Sequence, residues 1–431
     1  DVPAAGSLVT SDKTLNRIQS NCTWSMRSNF MSIPTDCCMR DERTPCQMDS
    51  LAYEDAAMCN FWMHRFYVKW LDDIAGGRGN PDWNGDAVFL PWRLYRCYGD
   101  VRILEKQYDN MRSFADWLHA KTPGHVYTEG FGDWCPPNDG SWGSYYGDVT
   151  EVDTAFYAEL VRLVGEAAAV LGKADDAVRY ANLSKEIARA FYEKRFDAKT
   201  GTYGDGSQTT AILPLAFNLV PEASRAAVFD RLIATIHAKN KDRMDTGIFG
   251  TRYLLDVLSD GGQADLAIEM LTQPEYPGFG FEIANDATTL WEQWTFKGGM
   301  NSHNHAMFAG VSASLFSRLA GISAAKPGYA EIAIRPCLPK RLTFVEAWQD
   351  TLMGRISVRW QRTNQGIEMN VAVPVNATAS VYVPAQGPES VTERGKPAAK
   401  AEGLKFTGMQ GPYAVFQAGS GEYHFVSTAK N

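Results

Sequence analysis

No run of apolar residues in this chain approaches the roughly 18 to 20 that span a bilayer, so no membrane partner is expected. The opening residues, DVPAAGSLVTSDK, lack the basic and apolar regions of a secretory leader. The chain as given reads as soluble, and a mature periplasmic or extracellular protein is favoured over a cytoplasmic one. Lysine and arginine form no block or stripe, and 50 acidic against 42 basic residues leave a net charge of −8. Nucleic acid is therefore excluded as an expected partner. Cysteine is scarce: eight thiols in 431 residues are too dilute to frame a fold of this size. One or two bridges among Cys37, Cys38, Cys46 and Cys135 remain open in an oxidising compartment. There is no G-x-S-x-G elbow and no phosphate-binding glycine loop, since GGRGN precedes no strand–helix unit. Metal ligation is equally poorly served. Cys37, Cys38 and Cys46 have no second cysteine pair, His303 and His305 in NSHNH lack an acid at ligand spacing, and no EF-hand spacing occurs. Neither a metal nor a cofactor is expected.

What is present is a globular composition, 45% hydrophobic and 21% charged, in a chain too long for one ordinary core. Two units are expected. From residue 11 to about 322 apolar periodicity is helical, as in AFYAELVRLVGEAAAVLG, where Phe156, Leu160, Leu163, Val164, Ala167 and Leu171 share a face and Gly172 ends the segment. Helices are predicted near 11–30, 49–73, 85–98, 100–121, 151–171, 174–194, 207–218, 222–238, 246–258, 262–272, 286–296 and 305–320. Twelve segments make six hairpins, which suggest a closed α/α toroid over an open bundle, and their unequal lengths match no solenoid period. After Ala325-Lys326-Pro327-Gly328 the period falls to two. Ile356, Val358 and Trp360 share one face of RISVRW, and Ile367, Met369, Val371 and Val373 share one face of IEMNVAV. With ASVYVP, YAVFQA and EYHFV these predict a small antiparallel β-sandwich. The expected domains are a barrel at 1–324 and a sandwich at 325–431, the latter a structural partner of the barrel.

Three stretches hold the candidate chemistry. TDCCMRDERTPCQMD, residues 35 to 49, packs four carboxylates, two arginines and three cysteines into fifteen positions; by itself it also fits a solvated loop. DATTLWEQWTF sets Glu292 between Trp291 and Trp294, where a carboxylate is poorly solvated. GFGDWCPPNDGSWGSYYGD joins Asp133 and Trp134 to Trp142, Tyr145 and Tyr146. Each tryptophan alone fits core packing. Together, aromatic faces for sugar C–H groups and carboxylates for hydroxyls point to a carbohydrate ligand, and two carboxyl groups are what glycosidic hydrolysis needs.

The order of NRIQSNCTWSMRSNFMSIPTDCCMRDER, PWRLYRCYGD, FGDW, TGIFGTRYLLDVLSDGGQADLAIEML, ATTLWEQW, MNSHNHAMFAG and KPGYAEIAIRP resembles glycoside hydrolase family 78, the α-L-rhamnosidases. The resemblance implies an (α/α)6 catalytic domain followed by a β-sandwich. It also implies an inverting mechanism with Glu42 as general acid and Glu292 as general base, standing roughly 6.5 to 9.5 Å apart. Asp36, Arg40, Asp49, Asp133, Trp134 and His305 are implied to line the sugar pocket, with Trp291 and Trp294 as its walls. Pro45-Cys46 departs from the Gly-Trp pair usual there, and Cys38 replaces a proline. The N-terminal β-domains common in the family are not in the chain, which reads as a compact member or an excised catalytic portion. The expected substrate is a rhamnose-containing glycan or glycoside; the oligomeric state is open. Two alternatives stand beside hydrolysis. One is a lyase acting at a rhamnose–uronic acid linkage, with Tyr145, Tyr146, His303 or His305 in the proton step. The other is a sugar-binding protein without catalysis.

Overall fold

The computed structural model describes residues 2–39, 44–137, 146–295 and 302–428. Its helices are α1 (Lys13–Asn29), α2 (Gln47–Asn60), α3 (His64–Asp73), α4 (Pro81–Asn84), α5 (Asp86–Tyr98), α6 (Val101–Lys121), α7 (Val149–Val170) and α8 (Ala174–Arg195). They continue with α9 (Gln208–Ala216), α10 (Glu222–Ala238), α11 (Ile248–Asp260), α12 (Ala264–Thr272), α13 (Phe279–Ala284) and α14 (Val311–Ser314). α14 is the middle of a column that begins as a 3-10 turn at Met307–Gly310 and ends as a π-helical turn at Leu315–Ala320.

The expected six-hairpin ring is formed. Helices α2, α5, α7, α9, α11 and α14 pack against one another in that order, and α14 returns to α2. The outer helices lie on them: α3 on α5, α6 between α5 and α7, α8 on α7, α10 on α9, α12 on α11, and α1 on α2 and the Met307–Gly310 turn. Position in the ring explains sequence character. Outer α6 buries Ile103, Leu104, Tyr108, Met111, Phe114, Ala115 and Leu118, an amphipathic stripe. Inner α7 is buried on nearly every side from Glu151 to Leu160, because both ring neighbours and α8 cover it. The single apolar face expected of it is thus only part of its buried surface. Phe156 of α7 stands against Phe89, Phe217 and Phe249 at centroid distances of 5.6, 5.4 and 4.5 Å. Truncating such a ring costs about 3–5 kcal/mol.

Two helix expectations are corrected. The segment 49–73 is two helices, broken where Phe61 turns extended at φ −136°. The segment 286–296 is not helical over its described residues; a short helix, α13, precedes it instead.

The strands are β1 (Gly6–Thr10), the short β2 (Phe196–Asp197) and β3 (Thr202–Tyr203), then β4 (Ile322–Ala324), β5 (Glu331–Ile334), β6 (Phe344–Thr351), β7 (Gly354–Thr363) and β8 (Gly366–Val373). β9 (Thr378–Pro384), β10 (Val391–Glu393), β11 (Lys396–Pro397), β12 (Leu404–Gln410), β13 (Tyr413–Ala418) and β14 (Gly421–Ser427) follow. One sheet runs β1-β6-β7-β8-β14-β10-β11, a second β12-β13-β9-β5-β4, and β2 pairs with β3 apart from both, all antiparallel except β5 with β9. The inward faces predicted for β7 and β8 are buried. Trp360 also donates its indole N–H to the Leu319 carbonyl at 2.7 Å, fastening the sheet to the last barrel turn. β1 was not anticipated. Residues 6–10 leave the barrel side of the sequence and pair with β6, Leu8 opposite Ala347.

Candidate active site

Three of the predicted acids gather around one histidine. Asp49 lies in the first turn of α2 and Asp36 on the stretch before it. Thr35 bridges to Pro45 and Cys37 to His305. The Asp36 N–H donates to the Thr44 carbonyl at 3.1 Å, and the Thr44 N–H donates to the Asp36 carboxylate at 3.2 Å. These pairings join the two stems of residues 40–43; Arg40 and Glu42 themselves lie outside the described residues, as do Trp142 and Tyr145.

His305 Nε2 meets Asp49 Oδ1 at 2.6 Å, and its Nδ1 stands 3.9 Å from Glu292 Oε2. All three side chains are buried. Burial by itself lowers the imidazole pKa; Asp49, then Glu292 and Asp36, outweigh it, and the net shift is upward. A proton on His305 is thus stabilised between two carboxylates.

Glu292 owes its place to a backbone that is paired rather than helical. Its N–H donates to the Ser302 carbonyl and the Ser302 N–H donates to Glu292 Oε2, both at 2.9 Å. The His305 N–H donates to the Leu290 carbonyl at 3.0 Å. A polar stripe on α1, one residue every four, holds this segment from outside. Arg17 and Asn21 donate to the Ala287 carbonyl at 3.3 and 3.2 Å, Ser25 Oγ accepts the Leu290 N–H at 2.7 Å, and Asn29 donates to the Asn304 carbonyl at 3.2 Å. Buried backbone groups demand such partners, and here the partners also set where Glu292 points.

Two predicted site residues have other work. Both oxygens of Asp133 are occupied: Oδ1 accepts from Phe249 N at 2.8 Å and Gly250 N at 3.0 Å, and Oδ2 from Gly247 N at 2.7 Å and from Thr209 Oγ1. Only 1% of the residue is exposed. Its carboxylate caps the N-terminus of α11, whose flanking residue, Gly247, has no side chain for the purpose. A Cβ at Gly247 would fall 2.3 Å from the Trp134 carbonyl oxygen, so this approach needs glycine. Burial raises the Asp133 pKa against the pull of these four bonds. Trp294 is likewise core: 1% exposed, packed 4.3 Å from Phe308 and 5.0 Å from Phe279, with its indole N–H on the Thr246 carbonyl at 2.9 Å. Trp291 is 3% exposed and lies 5.4 Å from the His303 ring. Trp134 is half-buried beside Phe131 and Tyr146, at 5.8 and 5.2 Å, and Phe131 touches Trp83 at 4.6 Å.

Cys46 and Cys135 are free, buried thiols. Burial first, then Asp49, pushes the Cys46 pKa well up; burial first, then Glu292 and Asp49, does the same for Cys135. Both therefore adjoin the acidic cluster as neutral, inert groups. No group of three His, Cys, Asp or Glu suited to a metal ion occurs among the described residues, and no described helix is long and apolar enough to cross a membrane.

Sequence reasoning missed Asn21, Ser25, Ser302 and a buried acid pair behind the Trp134 loop. Asp82 Oδ2 accepts the N–H groups of Phe131 and Gly132 at 2.6 and 2.7 Å, and Asp153 Oδ1 accepts the Asp82 N–H at 3.4 Å. Burial, then the Asp82 charge, lifts the Asp153 pKa well above the carboxylate range. The available signal was an acid inside the apolar pattern of α7.

Residues 3–319 match the model of the bacterial alpha-L-rhamnosidase 6 hairpin glycosidase domain, and residues 321–397 that of the bacterial alpha-L-rhamnosidase C-terminal domain. An alpha-L-rhamnosidase of Streptomyces avermitilis is 33% identical over 439 residues, covering 96% of this chain and 41% of that protein. One from Formosa agariphila is 30% identical over 451 residues, covering 97% of this chain and 48% of that protein. Among solved structures, an alpha-L-rhamnosidase from Dictyoglumus thermophilum superposes with a TM-score of 0.92 at 33% identity, covering 98% of this chain and 50% of that one. The Streptomyces avermitilis enzyme complexed with L-rhamnose gives 0.90 at 32% identity, covering 99% of this chain and 42% of that one. The chain spans half or less of the length of each of these relatives. By both matched domains and by the closed ring of six hairpins, the chain belongs to the bacterial α-L-rhamnosidases of glycoside hydrolase family 78.

Proposed function

We propose that this chain hydrolyses terminal α-L-rhamnosyl linkages with inversion, Glu292 acting as general base and Glu42 as general acid. The observation that carries the reading is the Asp49–His305–Glu292 line, a buried carboxylate facing a histidine whose proton a second carboxylate stabilises. A base must be ionised when water attacks, and a proton held on His305, 3.9 Å away, favours the ionised form. The Ser302 N–H fixes one Glu292 oxygen, which orients the other. Glu42 then protonates the departing oxygen as Glu292 takes a proton from the attacking water. Asp36, Arg40, Asp49, Trp134 and Trp291 line the sugar in this reading, while Asp133 and Trp294 shape the walls from behind. A rhamnose-containing glycan or glycoside is the substrate. The helical unit is taken to end near residue 324, with β1 returning to the sheet that follows.

The test is turnover of an aryl α-L-rhamnoside by Glu42→Gln and Glu292→Gln. Each change removes a proton-transfer group whose contribution is about 10²–10⁴-fold, and each variant is expected to bind the sugar while losing turnover by at least that factor. Wild-type rates in either variant would refute the assignment. Release of an ultraviolet-absorbing unsaturated product would move the chemistry to elimination.

A further inference from the structure

The outward face of the larger sheet carries a cavity of about 320 Å³, on strands β6, β7, β8 and β14. Two cross-strand rows build it. In one, Trp348, Ser357, Ala372 and Glu422 are paired neighbours; in the other, Glu346, Arg359, Asn370 and His424 are. The first row explains the depression. Small Ser357 and Ala372 lie between the tall Trp348 and Glu422, so the floor drops where the sheet twists past them. Arg355, which is not part of the lining, lies 3.8 Å over the Trp348 ring and backs the indole from outside the groove.

The chemistry of the lining selects a ligand class. Its cations are committed: Arg359 pairs with Glu346 at 2.5 Å and Arg394 with Glu393 at 3.2 Å, while Arg355 behind the indole pairs with Asp350 at 2.7 Å. On the lining itself Arg359 and Arg394 are balanced by Glu346 and Glu422, so the groove presents no net positive charge to recruit a phosphate or carboxylate. By contrast, the Trp348 indole N–H, the Ser357 hydroxyl, the Asn370 amide, the His424 imidazole and the Glu422 carboxylate have no hydrogen-bond partner among the described residues. An aromatic wall, neutral donors and acceptors of both kinds, and a volume at the low end of small-ligand pockets fit a neutral polyhydroxylated ring with an apolar face.

We propose that this groove is a second, non-catalytic saccharide site, which anchors a neutral oligosaccharide while the barrel cleaves its terminal sugar. That the sugar is rhamnose-bearing rests on the function proposed above; that the groove binds a neutral saccharide does not.

The experiment titrates the Glu292→Gln chain with a short rhamnose-containing oligosaccharide by calorimetry and by histidine and tryptophan NMR. Two binding equivalents are expected, the weaker one perturbing the His424 and Trp348 signals and insensitive to salt, because it neutralises no charge. Trp348→Ala added to this chain should weaken only that equivalent, by about tenfold as for a lost stacking ring. Ala372→Phe, which fills the floor without removing a contact, should abolish it. In the otherwise wild-type chain both changes should leave kcat/KM on an aryl α-L-rhamnoside unchanged and raise KM for the oligosaccharide. A single equivalent, a second one indifferent to both substitutions, or affinity falling steeply with salt would overturn the proposal. Failure to hydrolyse the aryl rhamnoside would overturn the function instead and leave the binding result to stand by itself.

Discussion

Asp133→Asn separates a structural carboxylate from a sugar-binding one. The four donors on Asp133 divide two to each oxygen, and an asparagine keeps one oxygen. Turned one way, the NH2 group faces the Phe249 and Gly250 N–H groups; turned the other, it faces the Gly247 N–H and the Thr209 hydroxyl, which can rotate to accept, so at least one backbone donor is left unpaired in a site with 1% exposure. At about 1–3 kcal/mol for one buried donor left unpaired, with about 0.3–1 kcal/mol for the charge lost at the α11 N-terminus, the change costs about 1–4 kcal/mol. At roughly 1 °C per kcal/mol for a chain of 431 residues, Tm should fall by about 1–4 °C. Thermal unfolding by circular dichroism and steady-state kinetics on an aryl rhamnoside, taken well below Tm, read the two quantities separately. The cap predicts a Tm lowered by that amount with KM within about twofold of wild type. An unchanged Tm with KM raised tenfold would show that the carboxylate faces the sugar, and would refute the reasoning.

Three further outcomes follow from the same geometry. Ser25→Ala strips the Leu290 N–H of its acceptor; with Glu292 two residues on, kcat should fall by about ten- to a hundredfold with KM little changed, and the acid limb of the pH–rate profile should shift. A loss of Tm alone, with kcat and pH profile intact, would reduce the α1 stripe to packing. His305→Gln removes a proton whose folded-state pKa is raised, so its stabilisation is fully present below the reference value of 6.5 and is lost as pH rises through the folded value. The Tm gap between wild type and variant should therefore be widest at or just below the reference value of 6.5 and shrink as the solution becomes alkaline; a gap that widens would contradict the assigned charge. Asp153 also has a raised pKa, so ionising it at higher pH destabilises the wild type. Asp153→Asn should gain in relative Tm as pH climbs from 4 towards 9, and a relative loss would mean that Asp153 is held ionised.

The long periodic helices were legible, because packing against one neighbour writes an apolar stripe: α6 and α8 lie within a residue or two of their predicted bounds. Segment 286–296 was not. Leucine, alanine and tryptophan fit a helix, and nothing local reveals that the N–H of Leu290 goes to Ser25, nor that Glu292 pairs with Ser302. β6 escaped notice because its inward face includes Gln349 and Thr351 beside Val345 and Ala347, which blurs the alternation. The convergence of Asp49, Glu292 and His305 was readable through family order, whereas the role of Asp133 was not. A carboxylate beside a tryptophan looks the same whether it meets a hydroxyl or a helix terminus, and the helix it caps begins 114 positions downstream in the pair to Gly247. For the same reason Trp294 passed as a pocket wall, its partner Thr246 being 48 residues away.

The account turns on two carboxyl groups with a water between them rather than one that attacks the sugar. The most direct measurement is proton NMR of an α-L-rhamnoside at the start of hydrolysis, before mutarotation mixes the anomers. Attack by water activated at Glu292, opposite a leaving group protonated by Glu42, predicts β-L-rhamnose as the first product; α-L-rhamnose appearing first would contradict it.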